Sequence, residues 1–396
     1  MSWLTLVGIG ADGLDGLSLK ARRAIAAAEF LVGGVRHLAM LPADSRQRLT
    51  WRSPLADTLP EILALRPRPV AMLATGDPLW YGIGRLLLQH LSPAEVAIVP
   101  HVSAFQEACS RLGWALEDAL PLTAHGRPVA ALRRHFQPGR RLLVLTADGA
   151  GPTAIARCLV ADGYGESRIT VFEEMGGERE RRTDATAAAL QGCFADLNLV
   201  GIDLCSSARP RSSVPGLPDE TYEHDGQLTK AEVRAITLAS LAPCDGELLW
   251  DVGAGAGSVA IEWLRAGRKM RAVAVERDCA RAGRIAANAE RLGVPELVVH
   301  TGAAPAALSD LPAPSAVFVG GGIASPGLLD LCWERLQSGG RLVANAVSIS
   351  GEAALLAFHA AHGGRLLRLQ LARAESIGAQ LVWRPAMPVT QLAARK

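Results

Sequence analysis

Leu248-Leu249-Trp250-Asp251-Val252-Gly253-Ala254-Gly255-Ala256-Gly257 is the stretch that decides how the second half of this chain folds. An apolar run ends in an acid, and three glycines follow at alternate positions, Gly253, Gly255 and Gly257. The amphipathic stretch Val259 to Leu264 comes next. The pattern is strand, tight glycine loop, helix. Glycine lets the backbone take positive φ and lets a ligand lie against the main chain. The dinucleotide fingerprint leaves two residues between its second and third glycines, because a pyrophosphate sits on the helix N-terminus. Here a single residue, Ala256, separates them. Asp251, just ahead of the loop, would repel a diphosphate but can pair with a cationic amino-acid group. A glycine loop after a strand can also be no more than a tight turn.

A second acid bears on that choice. Arg271 to Val275 reads as an apolar β run ending in Glu276, about one βαβ step further on, where a carboxylate can accept both ribose hydroxyls. Asp251, the D-x-G-x-G-x-G loop and Glu276 together resemble the S-adenosylmethionine-dependent methyltransferases. NAD fits less well, because of Asp251 and the glycine spacing. The loop Gly253, Ala254, Gly255, Ala256, Gly257 and Ser258, with Asp251, is expected to cradle the methionine part, and Glu276 to hold the ribose. Gly302, Ala303 and Ala304 follow the next strand, where they would border the adenine.

At 396 residues the chain exceeds one ordinary core, so two domains are expected. Hydrophobic residues at 49% and charged residues at 20% describe a globular, soluble protein. The net charge of +2, the lack of a basic run and the supply of only three Tyr and seven Phe argue against nucleic acid as a partner. The scattered arginines suit an anionic small molecule better. The seven cysteines include no C-x-x-C pair, which reads as reduced core thiols in a reducing cytoplasm. No stretch resembles a signal peptide or a membrane span, so no membrane partner is expected. No His/Cys cluster has metal-ligand spacing, and no metal is expected.

The likeliest break lies between Ser206 and Gln227, a stretch rich in Pro, Ser and Gly. It divides the chain into residues 1–206, a linker at 207–227 and residues 228–396. Each side alternates short β-like runs with helical ones, the signature of α/β layers. The first part is expected to hold strands at Leu4–Val7, Val70–Ala74, Val96–Val99, Leu142–Leu145, Ile169–Phe172 and Leu197–Leu204. Helices are expected at Leu19–Ala28, Arg85–His90 and from a Ser103 cap through Leu112. Thr229 with Glu232 forms a capping-box pattern before a helix to Leu241. Strands are then expected at Glu247–Val252, Arg271–Val275, Leu297–His300, Ala316–Val319, Arg341–Ala346, Arg365–Ala372 and Leu381–Trp383. They make a doubly wound sheet whose last strands can be antiparallel.

In the first part, Gly8-Ile9-Gly10 gains meaning beside Thr75-Gly76-Asp77-Pro78-Leu79-Trp80. Asp77-Pro78 makes a rigid turn after a buried strand, and Ser103-Ala104 opens a helix after Pro100. Such loops can grip a small cofactor with main-chain groups, although each alone is also an ordinary turn. Gly320, Gly321 and Gly322 follow a strand and read either as a flexible turn or as a wall that lets a large flat substrate approach. Asn345 ends another strand and can point into the same cleft.

The N-terminal part resembles the tetrapyrrole (corrin and porphyrin) methylases, through Gly8-Ile9-Gly10 and Gly76-Asp77-Pro78. The C-terminal part resembles the decarboxylating corrin methyltransferases, through Leu228-Thr229-Lys230-Ala231-Glu232-Val233-Arg234, Asp251 to Glu262 and Val317-Phe318-Val319-Gly320-Gly321-Gly322. Both in one chain and in this order resemble the precorrin-6Y C5,15-methyltransferase (decarboxylating) family, over nearly the whole length. Many tetrapyrrole methylases continue the first glycines with Pro-Gly-Asp. Here Ala11-Asp12-Gly13 stands there, so no role is carried over to a particular aspartate.

The resemblance implies an α/β protein with an N-terminal two-lobed tetrapyrrole-methylase fold and a C-terminal doubly wound, Rossmann-like methyltransferase fold. It implies two S-adenosyl-L-methionine sites per chain, a precorrin substrate and a homo-oligomer. With the motifs, it places Gly8, Gly10, Thr75, Gly76, Asp77, Trp80, Ser103, Ala104 and Met175 at the first site, and adds Thr229 to the second. The reaction implied is methyl transfer to C5 and C15 of precorrin-6B (6Y), with loss of CO2 from the C12 acetate, to give precorrin-8X in cobalamin biosynthesis. The second part would serve C15 and the decarboxylation, and the first C5. Such chemistry needs alignment of a ring carbon with an electrophilic methyl more than a strong acid or base. The substrate's carboxylates call for arginines, and Arg85, Arg111, Arg234 and Arg277 are candidates beside the motifs. A methyltransferase for RNA or a small metabolite, and a binding module for S-adenosylmethionine or tetrapyrrole without catalysis, are the alternatives.

Overall fold

The computed structural model describes residues 2–52, 54–207 and 210–396, so Ala208 and Arg209 of the expected linker lie outside the described residues. The chain forms two compact units, Met1–Val129 with Gln137–Ala208, and Ala130–Phe136 with Arg209–Lys396.

The first unit holds two five-stranded sheets. β1 (Leu4–Ile9), β2 (Phe30–Gly33), β3 (Gln47–Thr50), β4 (Val70–Thr75) and β5 (Val96–Val99) form a parallel sheet in the order β3-β2-β4-β1-β5. Leu4, Leu6, Val7, Ile9, Met72 and Leu73 are fully buried along its central strands, as expected of a sheet covered on both faces. β6 (Ala119–Thr123), β7 (Arg141–Leu145), β8 (Arg168–Glu173), β9 (Arg181–Thr186) and β10 (Asn198–Asp203) form the second sheet, in the order β6-β7-β10-β8-β9, antiparallel except for the β6–β7 pair. The helix Ala104–Leu112 begins at Ser103, whose Oγ accepts from Gln106 N–H at 3.3 Å while Gln106 Oε1 accepts from Ser103 N–H at 2.9 Å. The helix expected at Arg85–His90 shrinks to the single turn Gly84–Leu87.

The second unit is built on β11 (Leu248–Val252), β12 (Arg271–Glu276), β13 (Val298–Thr301), β14 (Ala316–Val319), β15 (Arg341–Ala346), β16 (Arg365–Leu369) and the last strand, which follows the hairpin β17 (Ala372–Ile377) and β18 (Gln380–Pro385) as β19 (Val389–Arg395). Its seven-stranded sheet runs β13-β12-β11-β14-β15-β19-β16, with β19 antiparallel to both neighbours. The chain winds outward from β11 in one direction and from β14 in the other. The crevice at the C-terminal ends of these two parallel strands is therefore the switch point, where open α/β sheets take ligands.

Three expectations are corrected. Arg365–Ala372 is not one strand but ends at Leu369, and β17 starts a separate hairpin. Leu381–Trp383 belongs to that hairpin, and the seventh strand of the sheet is β19, whose Val389, Leu392 and Ala394 pack inward. The Thr229/Glu232 capping box does not form: Lys230 caps the helix Ala231–Leu241 without a side-chain bond, and Glu232 is drawn to Arg373 Nη2 at 2.5 Å.

The Pro/Ser/Gly-rich stretch packs on the second unit from Gly216 onward. Glu262 accepts from the N–H groups of Gly216 (2.6 Å) and Leu217 (3.0 Å) and from the Tyr222 hydroxyl (2.8 Å). Leu217 and Tyr222 enter the same core as the fully buried Trp263.

Candidate functional site

The glycine loop after β11 is held from three sides. Gly253, Gly255 and Gly257 take φ of +71°, +59° and +75°, a region costly for any side chain. A Cβ at Gly253 would sit 2.7 Å from Gly321 Cα, one at Gly255 2.8 Å from the Gln227 carbonyl oxygen, and one at Gly257 2.7 Å from Ile285 Cγ2. Alternate glycines are thus required by backbone packed on three different segments. The contact of Gly253 with Gly321 brings the loop after β14 against the loop after β11, although a Cβ at Gly321 itself would meet Gly253 only at an ordinary 3.5 Å. Gly320 has its own neighbour, the Phe318 ring, 2.8 Å from where a Cβ would be.

Asp251 lies beneath this loop, fully buried. Its Oδ2 accepts from Ala260 N–H at 2.9 Å, and its Oδ1 has no partner among the described residues. Burial, and then the nearby Glu276 charge, raise its pKa from 3.8 to about 7, against the pull of the Ala260 N–H. Glu276, at the end of β12, accepts from Gly255 N–H at 2.9 Å and from Asp278 N–H at 3.1 Å, which fixes the loop to the neighbouring strand. An orphaned buried carboxylate oxygen, a second acid one strand away and a loop of small residues fit a ligand with a cationic amino-acid end and a ribose. Ser258 and Ala256 are buried in the loop's floor, while Ala254 is half-buried. Gly302 N–H donates to the Glu276 carbonyl at 2.9 Å, so Gly302, Ala303 and Ala304 stand at the adjoining strand end. Thr229 lies half-buried just before the helix Ala231–Leu241, its carbonyl accepting from Arg234 Nη1 at 2.5 Å.

Asn345 is placed differently. Its Nδ2 donates to Thr237 Oγ1 at 2.9 Å and its Oδ1 accepts from Gln391 Nε2 at 2.9 Å. Both ends of the amide serve the fold, and Asn345 is left out of the site proposed below.

In the first unit the loops after β1, β4 and β5 converge. Gly76 N–H donates to the Ile9 carbonyl at 3.1 Å, and His101 N–H to the Gly76 carbonyl at 3.2 Å. A Cβ at Gly8 would fall 2.0 Å from the Gly76 oxygen, and one at Gly10 2.8 Å from His101 Nε2. Asp77 Oδ1 accepts from Leu79 N–H at 2.8 Å and shapes the turn. Trp80, Ala104 and Met175 pack on one apolar cluster with Phe105 and Phe172, which draws the turn after β8 to the same place. Ser103 is buried and its hydroxyl is occupied by the helix cap.

Two arginines leave the list of substrate candidates. Arg234 is fully buried, bonded through Nε to Glu262 at 2.7 Å. Arg111 is bonded to Glu107 and to Glu180, which raises its pKa further. Arg85 and Arg277 are exposed. The sequence did not single out Asp12, whose Oδ1 lies 3.7 Å from His101 Nε2, or Arg36 and His37, which reach Thr75 Oγ1 at 2.9 and 3.0 Å. The Gly33-Gly34 pair ending β2, followed by Arg36-His37, was the available signal.

The family profile of tetrapyrrole (corrin/porphyrin) methylases matches residues 3–191, and that of the precorrin methyltransferase domain matches residues 220–396. A precorrin-6Y C(5,15)-methyltransferase (decarboxylating) of a Sinorhizobium species is 48% identical over 393 residues, covering 98% of this chain and 95% of that one. The protein of the same name from Mycobacterium tuberculosis (strain CDC 1551 / Oshkosh) is 40% identical over 398 residues, covering 99% and 100%. The crystal structure of the C-terminal domain of precorrin-6Y C5,15-methyltransferase from Rhodobacter capsulatus, 47% identical, matches 47% of this chain and 100% of that one with a TM-score of 0.45. With identity at this level along its whole length, the chain belongs to the precorrin-6Y C5,15-methyltransferase (decarboxylating) family, whose two methylase types it joins in one polypeptide.

Proposed function

We propose that the chain methylates precorrin-6B at C5 and C15 and removes CO2 from the C12 acetate to give precorrin-8X, with one S-adenosyl-L-methionine site in each unit. The observation that supports this reading is the pair of separate glycine loops, each at the C-terminal edge of a parallel run of strands, in a chain of this family. Bound S-adenosylmethionine supplies an electrophilic sulfonium methyl.

In the second unit, Asp251 would meet the donor's ammonium, the loop Gly253 to Ser258 its methionine chain, and Glu276 its ribose. Gly302 to Ala304 would border the adenine, and Gly320 to Gly322 would leave room for the macrocycle. In the first unit, Gly8, Gly10, Thr75 to Asp77 and Ala104 would present main-chain groups, and Trp80 and Met175 an apolar wall. Both units act by alignment, which places a ring carbon in line with the methyl and excludes water. We assign C5 to the first unit, and C15 with the decarboxylation to the second. When CO2 leaves, the electron pair of the broken bond passes into the conjugated macrocycle. The seven free thiols suit a reducing cytoplasm.

Calorimetric titration of the full chain with S-adenosylhomocysteine tests the stoichiometry, and incubation with precorrin-6B and donor tests turnover. Two sites per chain and CO2 release are expected. One site, or binding without CO2 or methyl transfer, refutes the reading, the latter in favour of a binding module.

A further inference from the structure

Arg36 differs from the arginines around it. It lies on the short helix Val35–Ala39 that follows β2, at the C-terminal edge of the parallel sheet, where the glycine loops of the first unit gather. Arg46 and Arg181 are satisfied by Asp44 and Glu173. Arg36 is half-buried and touches only neutral groups: its Nη2 donates to Thr75 Oγ1 at 2.9 Å and lies 3.2 Å from His37 Nε2. Glu174 attracts it through space, but the Glu174 carboxylate is bonded to Arg179 at 2.9 Å. Among the described residues no carboxylate forms an ion pair with Arg36. A guanidinium drawn out of water and given no anion is costly unless a ligand completes it.

The neighbours orient this group without neutralising it. His37 is buried, and burial together with the Arg36 charge holds its pKa down at about 4, so it is neutral near pH 7. Arg36 can only donate, and the Thr75 hydroxyl, which accepts from Arg36, can donate onward. His37 Nε2 lies 3.0 Å from Thr75 Oγ1 and 3.2 Å from Arg36 Nη2, while its Nδ1 is buried without a hydrogen-bond partner among the described residues. The arrangement pins Nη2 of Arg36 to the last residue of β4 and to His37, and leaves its Nε and Nη1 hydrogens for separate single bonds to a ligand. A guanidinium charge held in place in this way attracts a carboxylate.

We infer that Arg36, steered by Thr75 and His37, binds a carboxylate side chain of the macrocyclic substrate in the first unit. The inference rests on the function proposed above. A carboxylate is also present on the methyl donor. That molecule, however, carries a sulfonium and an ammonium as well, and its net positive charge is repelled by an unpaired arginine. The substrate carries several carboxylates and no such penalty.

The test uses the full-length chain with Arg36→Gln and Arg36→Lys, comparing KM and kcat for the C5 methylation with the affinity for S-adenosylhomocysteine. Arg36→Gln is expected to raise the KM for the precorrin about 10- to 100-fold, the range for a lost charged hydrogen bond, with kcat little changed and both S-adenosylhomocysteine sites retained at parental affinity. Arg36→Lys is expected to recover part of the loss, since it keeps the charge and not the guanidinium's contacts with Thr75 and His37. Far-ultraviolet melting confirms folding, and if the glutamine variant does not fold, a raised KM in the lysine variant decides. An S-adenosylhomocysteine affinity that falls while KM holds assigns the anion to the donor and overturns the inference, as does an unchanged KM in both variants. A parental chain that turns over beside an Arg36→Gln variant with parental KM refutes this inference alone, whereas a parental chain without methyl transfer refutes the function itself.

Discussion

Replacing Asp251 by Asn should make the donor-free protein more stable at alkaline pH while weakening its second cofactor site. The carboxylate is fully buried, one oxygen bonded to Ala260 N–H and the other to nothing, with Glu276 adding repulsion. Its pKa rises from 3.8 in the open chain to about 7 in the fold. The folded state thus binds a proton more tightly than the unfolded state does. Its contribution to stability is fully present below pH 4 and is lost as pH rises through about 7. Roughly three pH units at ~1.4 kcal/mol each place the loss at about 4 kcal/mol by pH 8. Asparagine keeps the Ala260 bond and removes the charge, but its NH2 takes the place of the orphaned oxygen at a cost of about 1–3 kcal/mol. The net gain at pH 8 is about 1–3 kcal/mol, and below pH 5 it vanishes or changes sign. Urea unfolding followed through the emission of the fully buried Trp250 and Trp263 reads this directly, as a midpoint shift of about 1 M at pH 8 for a slope near 2 kcal/mol per M. A variant that is less stable than the parent by the same amount at pH 5 and pH 8 would refute the reasoning, because Asp251 would then not be a buried charge awaiting a cation.

The same carboxylate predicts that S-adenosylhomocysteine binds the second site more tightly as pH rises from 6 to 8, since its ammonium meets an ionised Asp251 only above about 7; a flat profile by calorimetry refutes the pairing. Gly8→Ala, whose Cβ would fall 2.0 Å from the Gly76 oxygen, should abolish one of two S-adenosylhomocysteine sites, and Gly253→Ala, at φ +71° and 2.7 Å from Gly321, should abolish the other; loss of both sites in either variant refutes their independence. Arg234→Ala should destabilise the second unit by about 3–5 kcal/mol in urea unfolding, because it strands the Glu262 carboxylate in the core, and a KM effect without a stability loss would return Arg234 to the substrate cleft.

What the sequence revealed depended on how local each signal is. The loop after β11 was legible because its glycines, its acid and its strand are contiguous, and the packing that demands two of the glycines is carried by main chain. Most central strands of both units were legible as uninterrupted apolar runs, although the buried β2 was not read. β3 and β9 were not, because Gln47–Thr50 and Arg181–Thr186 are polar edge strands whose pairing is set by neighbours distant in sequence. β19 was hidden for a similar reason: Thr390 and Gln391 interrupt its apolar pattern, yet both are buried, with Gln391 bonded to Thr237 and Asn345.

The arginines show where pattern reading fails. Position beside a motif nominated Arg111 and Arg234, but an arginine's availability depends on which acids the fold brings to it, and Glu180 and Glu262 arrive from 69 and 28 residues away. Arg36 carried no motif, and it is singled out only because the fold supplies it with a hydroxyl and a neutral imidazole and no anion. On the proposed function, the donor loops would therefore be a property of short sequence, while the groups that select the acidic macrocycle would be a property of charge pairing across the fold. On the same proposal, a relative that kept every glycine would still change its substrate by moving one carboxylate within reach of Arg36.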